Sequence, residues 1–354
     1  MLKANSDISS NTFSSSTLVK DSNWTWSERD SFCFKLKKDC CQLPKITIIT
    51  PSYNQGQYIE ETIRSVLLQG YPNLEYIIID GGSTDNTVDI IKKYEPYLTY
   101  WVSEPDRGQT HAINKGLARA TGEIIAYLNS DDYYLPNTFF KVAESFRSFP
   151  NADLFHGRCR YVDDTGAKIG EQWGNIAHFA EIIDLWGIWW QKQQFVQPEV
   201  FWTKRITEKV GSFNEDLYFV MDYEYWCRIL QSNGKVGKID AELTCFRFTS
   251  EQKSNQSERV AEELLQVVRP LIWNYSTQIP LKKRFILQGK WLHQAKLLKQ
   301  IENSVLQGDR TIIRWLKSFW VILNNPKILL VPNLSTRINA LLLKFVGFSN
   351  LSKT

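Results

Sequence analysis

A chain of 354 residues with 43% hydrophobic and 23% charged residues has globular proportions, which exclude a disordered or fibrous protein and leave room for about two domains. No segment reaches the ~18 apolar residues a spanning helix needs, and the opening MLKANSDISSNTFSSSTLVK lacks the apolar stretch of a secretory signal, so a cytoplasmic, non-spanning protein is expected. The net charge of +4 hides an asymmetry: Leu281–Thr354 holds 13 Lys and Arg against Glu302 and Asp309, a net +11 that leaves −7 for the remainder, so a basic tail suited to an anionic partner follows an acidic body.

In chain order, residues 1–43 are rich in Ser, Asn and Lys without sustained periodicity and read as a mobile leader, with Trp24 and Trp26 as candidate packing anchors. Lys45–Thr50 (KITIIT) is a β-branched run ending at Pro51, the pattern of a buried parallel strand. Ile59, Thr62, Ile63, Val66 and Leu67 then fall at helical spacing, with Gly70 as a stop. The alternation repeats. Glu75–Asp80, Leu98–Ser103 and Glu123–Leu128 read as strands; helices through Val88–Tyr94 and Ala112–Leu117 separate them. Strands alternating with helices predict a parallel sheet with ligands at the carboxyl ends of its strands. That edge would carry Thr50–Tyr53, Asp80–Asp85, Glu104–Gln109 and Asn129–Asp132.

Beyond Pro150 the pattern loosens. A hairpin is expected around Asp163–Gly166, an aromatic segment holds Trp186, Trp189 and Trp190, and a helix starting near Asp222 puts Tyr223, Trp226, Cys227 and Leu230 on one face. Val236–Asp240 and Leu243–Phe248 read as two strands, and the chain after Arg259 as basic helices. None of the six cysteines forms a CxxC pair or a zinc spacing, which fits free, buried thiols. The 13 tryptophans suit sugar-facing surfaces, although core packing is the plainer use of them.

Three carboxylate positions carry chemistry. Asn129-Ser130-Asp131-Asp132 places two adjacent carboxylates at a strand end, where repulsion needs a cation or strong donors; a solvated turn is the alternative. Asp80 precedes Gly81-Gly82, which permit close backbone approach, although Asp-Gly is also a common turn. Asp222 opens an aromatic helix, as a general base or as a helix-dipole partner. His111 stands at another helix start, for phosphate contact or capping.

Taken in order, TPSYNQGQYIEETIRSVLLQGYPNLEYIIIDGGSTDNT, SEPDRGQTHAINKGLARATGEIIAYLNSDDYYLPN and GSFNEDLYFVMDYEYWCRI resemble the family 2 glycosyltransferases, an inverting group, over roughly Lys45–Ser254. The resemblance implies an α/β, GT-A-type, Rossmann-like fold: a mixed, mostly parallel sheet flanked by helices. The implied division is a leader over 1–43, the GT-A domain over 44–258 and a basic helical C-terminal extension over 259–354. Thr50, Pro51 and Tyr53 match the segment lining the nucleotide pocket, Asp80 with Gly81 the contact to base or ribose, and Asp106 with Arg107 the loop over the nucleotide. Asn114 falls in the same binding set. Asn129, Ser130 and Asp131 occupy the Asp-x-Asp motif, with Asp131 and Asp132 as ligands of Mg2+ or Mn2+, and Asp222 matches the catalytic base.

The implied partners are a UDP- or GDP-type sugar donor and a saccharide or lipid-linked saccharide acceptor, as in surface polysaccharide assembly, with no nucleic acid. Trp315, Phe319, Trp320, Ile322 and Leu323, with Arg314, Lys317 and Lys327, suit an anionic membrane surface. That implies a peripheral location at the inner face. Three positions depart from the pattern: Asn129 for an aspartate, Met221 before Asp222, and Thr249 for a histidine, leaving Arg247, Ser250 and Lys253 to meet the diphosphate. Those departures keep a catalytically silent binding or scaffold protein as the alternative. Absence of GxGxxG from Pro51–Gly56 argues against a dinucleotide-binding oxidoreductase.

Overall fold

The computed structural model describes residues 43–188, 191–249, 252–253, 257–273 and 279–306. Residues 1–42 of the expected leader, Trp189, Trp190, Ser250 and the tail segment from Arg314 to Lys327 lie outside the described residues.

Strand β1 (Ile46–Ser52) is buried at every position, as a strand covered on both faces must be. β2 (Leu74–Asp80), β3 (Tyr100–Ser103) and β4 (Ile124–Tyr127) join it in parallel, in the order β3-β2-β1-β4. The crossovers are α1 (Ile59–Leu67), α2 (Thr87–Tyr94) and α3 (Gln109–Leu117). A Cβ on Gly116 would stand 2.4 Å from the Ile49 side chain, so glycine lets α3 press onto β1. β3 begins at Tyr100 and not at Leu98, because Glu95–Tyr97 first make a 3-10 turn.

The sheet then becomes mixed. β5 (Tyr133–Tyr134), α4 (Thr138–Ser148), β6 (Leu154–Val162), β7 (Lys168–Trp173) and α5 (Phe179–Ile182) are followed by β8 (Val200–Thr203), α6 (Lys204–Val210), α7 (Met221–Gln231) and β9 (Val236–Arg247). The order continues β4-β8-β6-β9-β5, with β7 beside β6. β8 runs antiparallel to β4 and β6, while β9 is parallel to β6. The Asp163–Gly166 turn links β6 and β7 as a hairpin. Where two strands are expected after Gly234 there is one, β9. Its pairing slips opposite Gly157, where a Cβ would stand 2.7 Å from the Ala241 carbonyl oxygen. The irregularity is absorbed as a bulge and the strand continues.

Helices α8 (Ser257–Trp273) and α9 (Leu281–Leu306) complete the described chain. α8 buries Ala261, Leu264, Leu265, Val268 and Ile272, and Trp291 Nε1 of α9 donates to the Leu265 carbonyl at 2.9 Å. Among the described residues no helix is long and apolar enough to cross a membrane. Trp202 and Trp226 are fully buried, in line with the core reading of tryptophan, and Cys159, Cys227 and Cys245 are buried free thiols.

Candidate functional site

The carboxyl ends of β1 and β2 are knitted into one floor. The Asn54 amide donates to Ser83 Oγ (2.7 Å), the Thr84 amide to Asn54 Oδ1 (2.8 Å), and the Gly56 amide to Asp85 Oδ2 (2.9 Å). Thr50 is buried with its hydroxyl 3.2 Å from Tyr76 Oη, Pro51 is buried within β1, and Tyr53 is 60% exposed at the rim. Asp80 is fully buried. Its carboxylate accepts from the Gly82 and Ser83 amides and from the Ser83 and Ser103 hydroxyls at 2.5–3.1 Å. The chain therefore uses Asp80 to shape the Gly-rich turn, where the sequence alone presents it as a carboxylate open to base or ribose.

The turn after β3 closes over this floor. A Cβ on Gly81 would come within 2.7 Å of Asp106 Oδ2, so the two turns touch only because residue 81 is glycine. Asp106 Oδ1 accepts from the Gly108 amide at 2.7 Å, and His111 Nδ1 accepts from the Arg107 amide at 3.2 Å, which is the capping use of that histidine. Arg107 reaches Glu215 at 2.6 Å. Asn114 is a clamp: its amide donates to the Phe213 carbonyl and to Glu215 Oε1 and accepts from the Phe213 amide, at 2.9, 3.1 and 2.9 Å. Its side chain thus holds the segment before α7 onto α3, a positioning use in place of the direct donor contact expected of it.

The Asn129–Asp132 segment lies at the end of β4. Asn129 Oδ1 accepts from Gln109 Nε2 at 2.7 Å, and its amide nitrogen donates to Gln197 Oε1 at 3.1 Å. That oxygen is engaged, so Asn129 ties α3 to the segment before β8 where the sequence leaves it open to a metal. Ser130 is buried, Asp131 half-buried, and Asp132 only 1% exposed. Asp132 Oδ1 accepts from the Arg247 amide at 2.9 Å, while its buried Oδ2 has no hydrogen-bond partner among the described residues. Burial pushes both carboxyls above the usual range, and for Asp132 the neighbouring Asp131 charge adds to it. Uncompensated carboxylate of this kind fits a hard dication. Mg2+ and Mn2+ accept few protein oxygens and leave positions for water and phosphate, and among the described residues no cluster of three or more His, Cys, Asp or Glu offers a fuller cage.

Arg247, expected at the diphosphate, lies beneath this segment. It is 3% exposed, and its guanidinium donates to the Asp131, Asp163 and Asp164 carbonyls and to Glu61. It braces the segment from below and is not a free cation. Lys253 is half-buried, with its Nζ 3.3 Å from Gln109 Oε1 and 4.2 Å from the Tyr218 ring centre. Burial lowers its pKa, which the Asp106 charge partly opposes.

Asp222 stands in the first turn of α7, half-buried, with Oδ1 accepting from the Tyr223 amide at 2.7 Å. Burial pushes its pKa up to about 6, and the Glu263 charge adds to the shift. Its charge adds to the burial that raises the pKa of Tyr127, the last residue of β4, whose ring packs edge-on against Phe213 at 5.7 Å between ring centres. Phe213 stacks on Tyr225 at 4.1 Å between ring centres, fixing α7 against the clamped segment. Sequence reading put Gln109 on the ligand edge without a role, and missed Gln197, Glu215 and Glu263. Gln109 and Glu215 sit inside the matching fragments; Gln197 and Glu263 carry no local signal.

Residues 47–213 match the profile of the family described as Glycosyl transferase family 2. The putative teichuronic acid biosynthesis glycosyltransferase TuaG of Bacillus subtilis is 42% identical over 126 residues, covering 34% of this chain and 49% of TuaG. An uncharacterized glycosyltransferase of Nostoc sp. is 31% identical over 144 residues, covering 37% and 45%. The chain thus spans about half the length of these curated relatives. Among solved structures, S. aureus TarS 1-349 in complex with UDP-GlcNAc superposes with a TM-score of 0.57 at 18% identity, covering 81% of this chain and 82% of TarS 1-349. The mannosyltransferase PcManGT of Pyrobaculum calidifontis, in complex with GDP-Man and Mn2+, gives 0.54 at 18% identity, covering 85% and 90%. These superpositions identify the GT-A fold. The βαβ floor, the acidic end of β4 and the match over residues 47–213 converge on one assignment: the chain carries a glycosyltransferase family 2 domain over those residues.

Proposed function

We propose that the protein is an inverting glycosyltransferase moving a sugar from a UDP- or GDP-type donor to a hydroxyl acceptor. The observation that carries this reading is Asp222, a half-buried carboxyl in the first turn of α7 whose pKa burial pushes up to about 6, presented by a segment that Asn114 clamps to α3. A carboxylate with that pKa is ionised at neutral pH yet basic enough to take a proton. It accepts the proton of the acceptor hydroxyl while that oxygen bonds to the anomeric carbon. The bond to the diphosphate breaks on the opposite face and its electron pair leaves with the phosphate oxygen. No covalent enzyme intermediate is required. Asp131, with Asp132 Oδ2 behind it, is the place for Mg2+ or Mn2+; such an ion, when bound, neutralises charge on the departing diphosphate.

Tyr53, Gly81, Asp106 and Arg107 line the nucleotide, and of the residues expected at the diphosphate Lys253 keeps that role while Arg247 braces the segment below. Asn114, Asn129 and Asp80 keep the site in shape. The complexes of TarS with UDP-GlcNAc and of PcManGT with GDP-Man support a nucleotide-sugar donor, and the likeness to TuaG supports polysaccharide assembly as the setting. A lipid-linked acceptor at the inner membrane face, with the basic tail as anchor, extends the same proposal. The test is a hydrolysis and transfer screen of UDP- and GDP-sugars with Mg2+ and Mn2+, run on wild type and Asp222→Asn. Donor turnover lost in the variant is expected. Equal rates would remove Asp222 from the chemistry.

A further inference from the structure

Helix α7 has no cap of its own. Val220 at its N-cap position contributes no side-chain hydrogen bond to the helix start, although the amides at and before such a start need acceptors. The acceptor comes from 43 residues further along the chain. Glu263, on α8, takes the amides of Tyr218 at 2.9 Å on Oε1, and of Phe219 and Val220 at 2.6 and 2.8 Å on Oε2. Three successive backbone N–H groups thus converge on one half-buried carboxylate, and Asp222 follows two residues after the last of them.

A negative charge at a helix N-terminus is favourable, and hydrogen bonds from backbone N–H to an ionised carboxylate are short and roughly twice as strong as neutral ones. The backbone leading into Asp222 is therefore fixed from two sides. Asn114 of α3 holds Phe213, and Glu263 of α8 holds residues 218–220. α8 is itself anchored by its buried apolar face and by Trp291 of α9.

We infer that Glu263 is a positioning residue for the catalytic carboxylate: α8 completes the active site by capping the segment that presents Asp222. The inference rests on the proposed role of Asp222. It also moves the working end of the catalytic unit from residue 258 to the end of α8. The charge sensed by Asp222 agrees with the geometry. Besides burial, the charge of Glu263 on α8 raises the pKa of Asp222.

The test compares full-length wild type with Glu263→Gln and Glu263→Asp. Two readouts need no turnover: carbon-13 NMR titration of the Asp222 carboxyl, and hydrogen exchange at the amides of 218–220. Glu263→Gln is expected to lower the Asp222 titration midpoint and to accelerate exchange at those three amides by tenfold or more, while UDP and GDP binding by calorimetry is unchanged. Glu263→Asp keeps the charge and should restore most of the midpoint with part of the protection. In turnover, kcat of Glu263→Gln should fall at least tenfold with donor KM within twofold, and its acid limb should shift to lower pH. An unmoved midpoint with unmoved exchange overturns the inference, even where donor turnover and its loss in Asp222→Asn uphold the proposed reaction. Loss of the midpoint shift and the amide protection together upholds it, even where no donor in the screen is turned over.

Discussion

The two edges of the β1–β4 sheet treat carboxylates in opposite ways. At the amino end of β2, Glu75 is 4% exposed and fully paired: Lys45 Nζ, Thr47 Oγ1, the Thr121 amide and Thr121 Oγ1 all donate to it at 2.5–2.8 Å. Burial opposes its charge, yet these donors hold its pKa down at about 2. At the carboxyl edge, burial wins at Asp131, Asp132 and Asp222, and all three are pushed up. One edge satisfies its charges and gains stability. The other satisfies Asp80 but leaves Asp131, Asp132 and Asp222 short of donors, which costs stability and leaves basic, cation-seeking groups at the proposed substrate site.

The sharpest way to break the contrast is Asp222→Asn. Removing a general base is expected to slow transfer by ~10²–10⁴-fold. Stability moves the other way. The folded pKa of about 6 lies above the usual 3.8, so the favourable contribution of Asp222 is complete below pH ~4 and lost as pH rises through 6. At neutral pH the wild-type carboxylate therefore opposes folding, and the variant should melt no lower than wild type. A calorimetric melt beside the donor assay checks both signs, and a lower melting temperature would place Asp222 with Glu75. Asp131→Asn comes next. Loss of the proposed metal carboxylate should cut transfer by ~10²-fold or more and abolish Mn2+-dependent tightening of UDP or GDP binding. Metal-dependent binding that survives unchanged would take Asp131 out of the metal site.

Much of the carboxyl edge was legible because its elements are local. KITIIT, EYIIID and EIIAYL announce buried parallel strands, and each ends in the residues the edge displays. The second half of the sheet was not legible, since its order depends on pairings between distant segments. β5 is two residues long and exists only against Thr244 and Cys245 of β9, and VFWT becomes β8 only between β4 and β6. Within the site, residue types were legible and their hydrogen-bond partners were not. Asn114 and Asn129 read as ligand-binding amides, but their partners Phe213 and Gln197 are 99 and 68 residues away. Arg247 read as a free cation because nothing in CFRFTS shows that Glu61 and three carbonyls surround it.

Glu75→Gln probes the opposite edge. Its folded pKa near 2 lies below the usual 4.5, so its contribution is complete above pH ~4.5 and lost as pH falls toward 2. The variant should lose roughly 2–4 kcal/mol of stability at pH 7. Donor turnover per folded molecule should be unchanged, because Glu75 lies at the far end of β2 from Asp80. Urea melts at pH 7 and pH 3 decide it: the gap between wild type and variant should narrow at the lower pH. A gap that holds constant would show that the Lys45–Thr121 network does not depend on the Glu75 charge.

The smallest effect belongs to Arg107. Its contact with Glu215 at 2.6 Å has the guanidinium 70% exposed, and ion pairs of that exposure contribute ~0–1 kcal/mol. Arg107→Ala should therefore lower stability by less than ~1 kcal/mol, all the more because Asn114 holds the same segment independently through Phe213. If the Arg107 loop covers the nucleotide as proposed, the variant's donor KM should rise several-fold while kcat stays within about twofold, the mark of binding shared by ground and transition states. Melts and donor titrations on the same preparation separate the two contributions. An unchanged KM would confine Arg107 to bracing the 213–215 segment, and a fall in kcat would mean that this brace reaches Asp222.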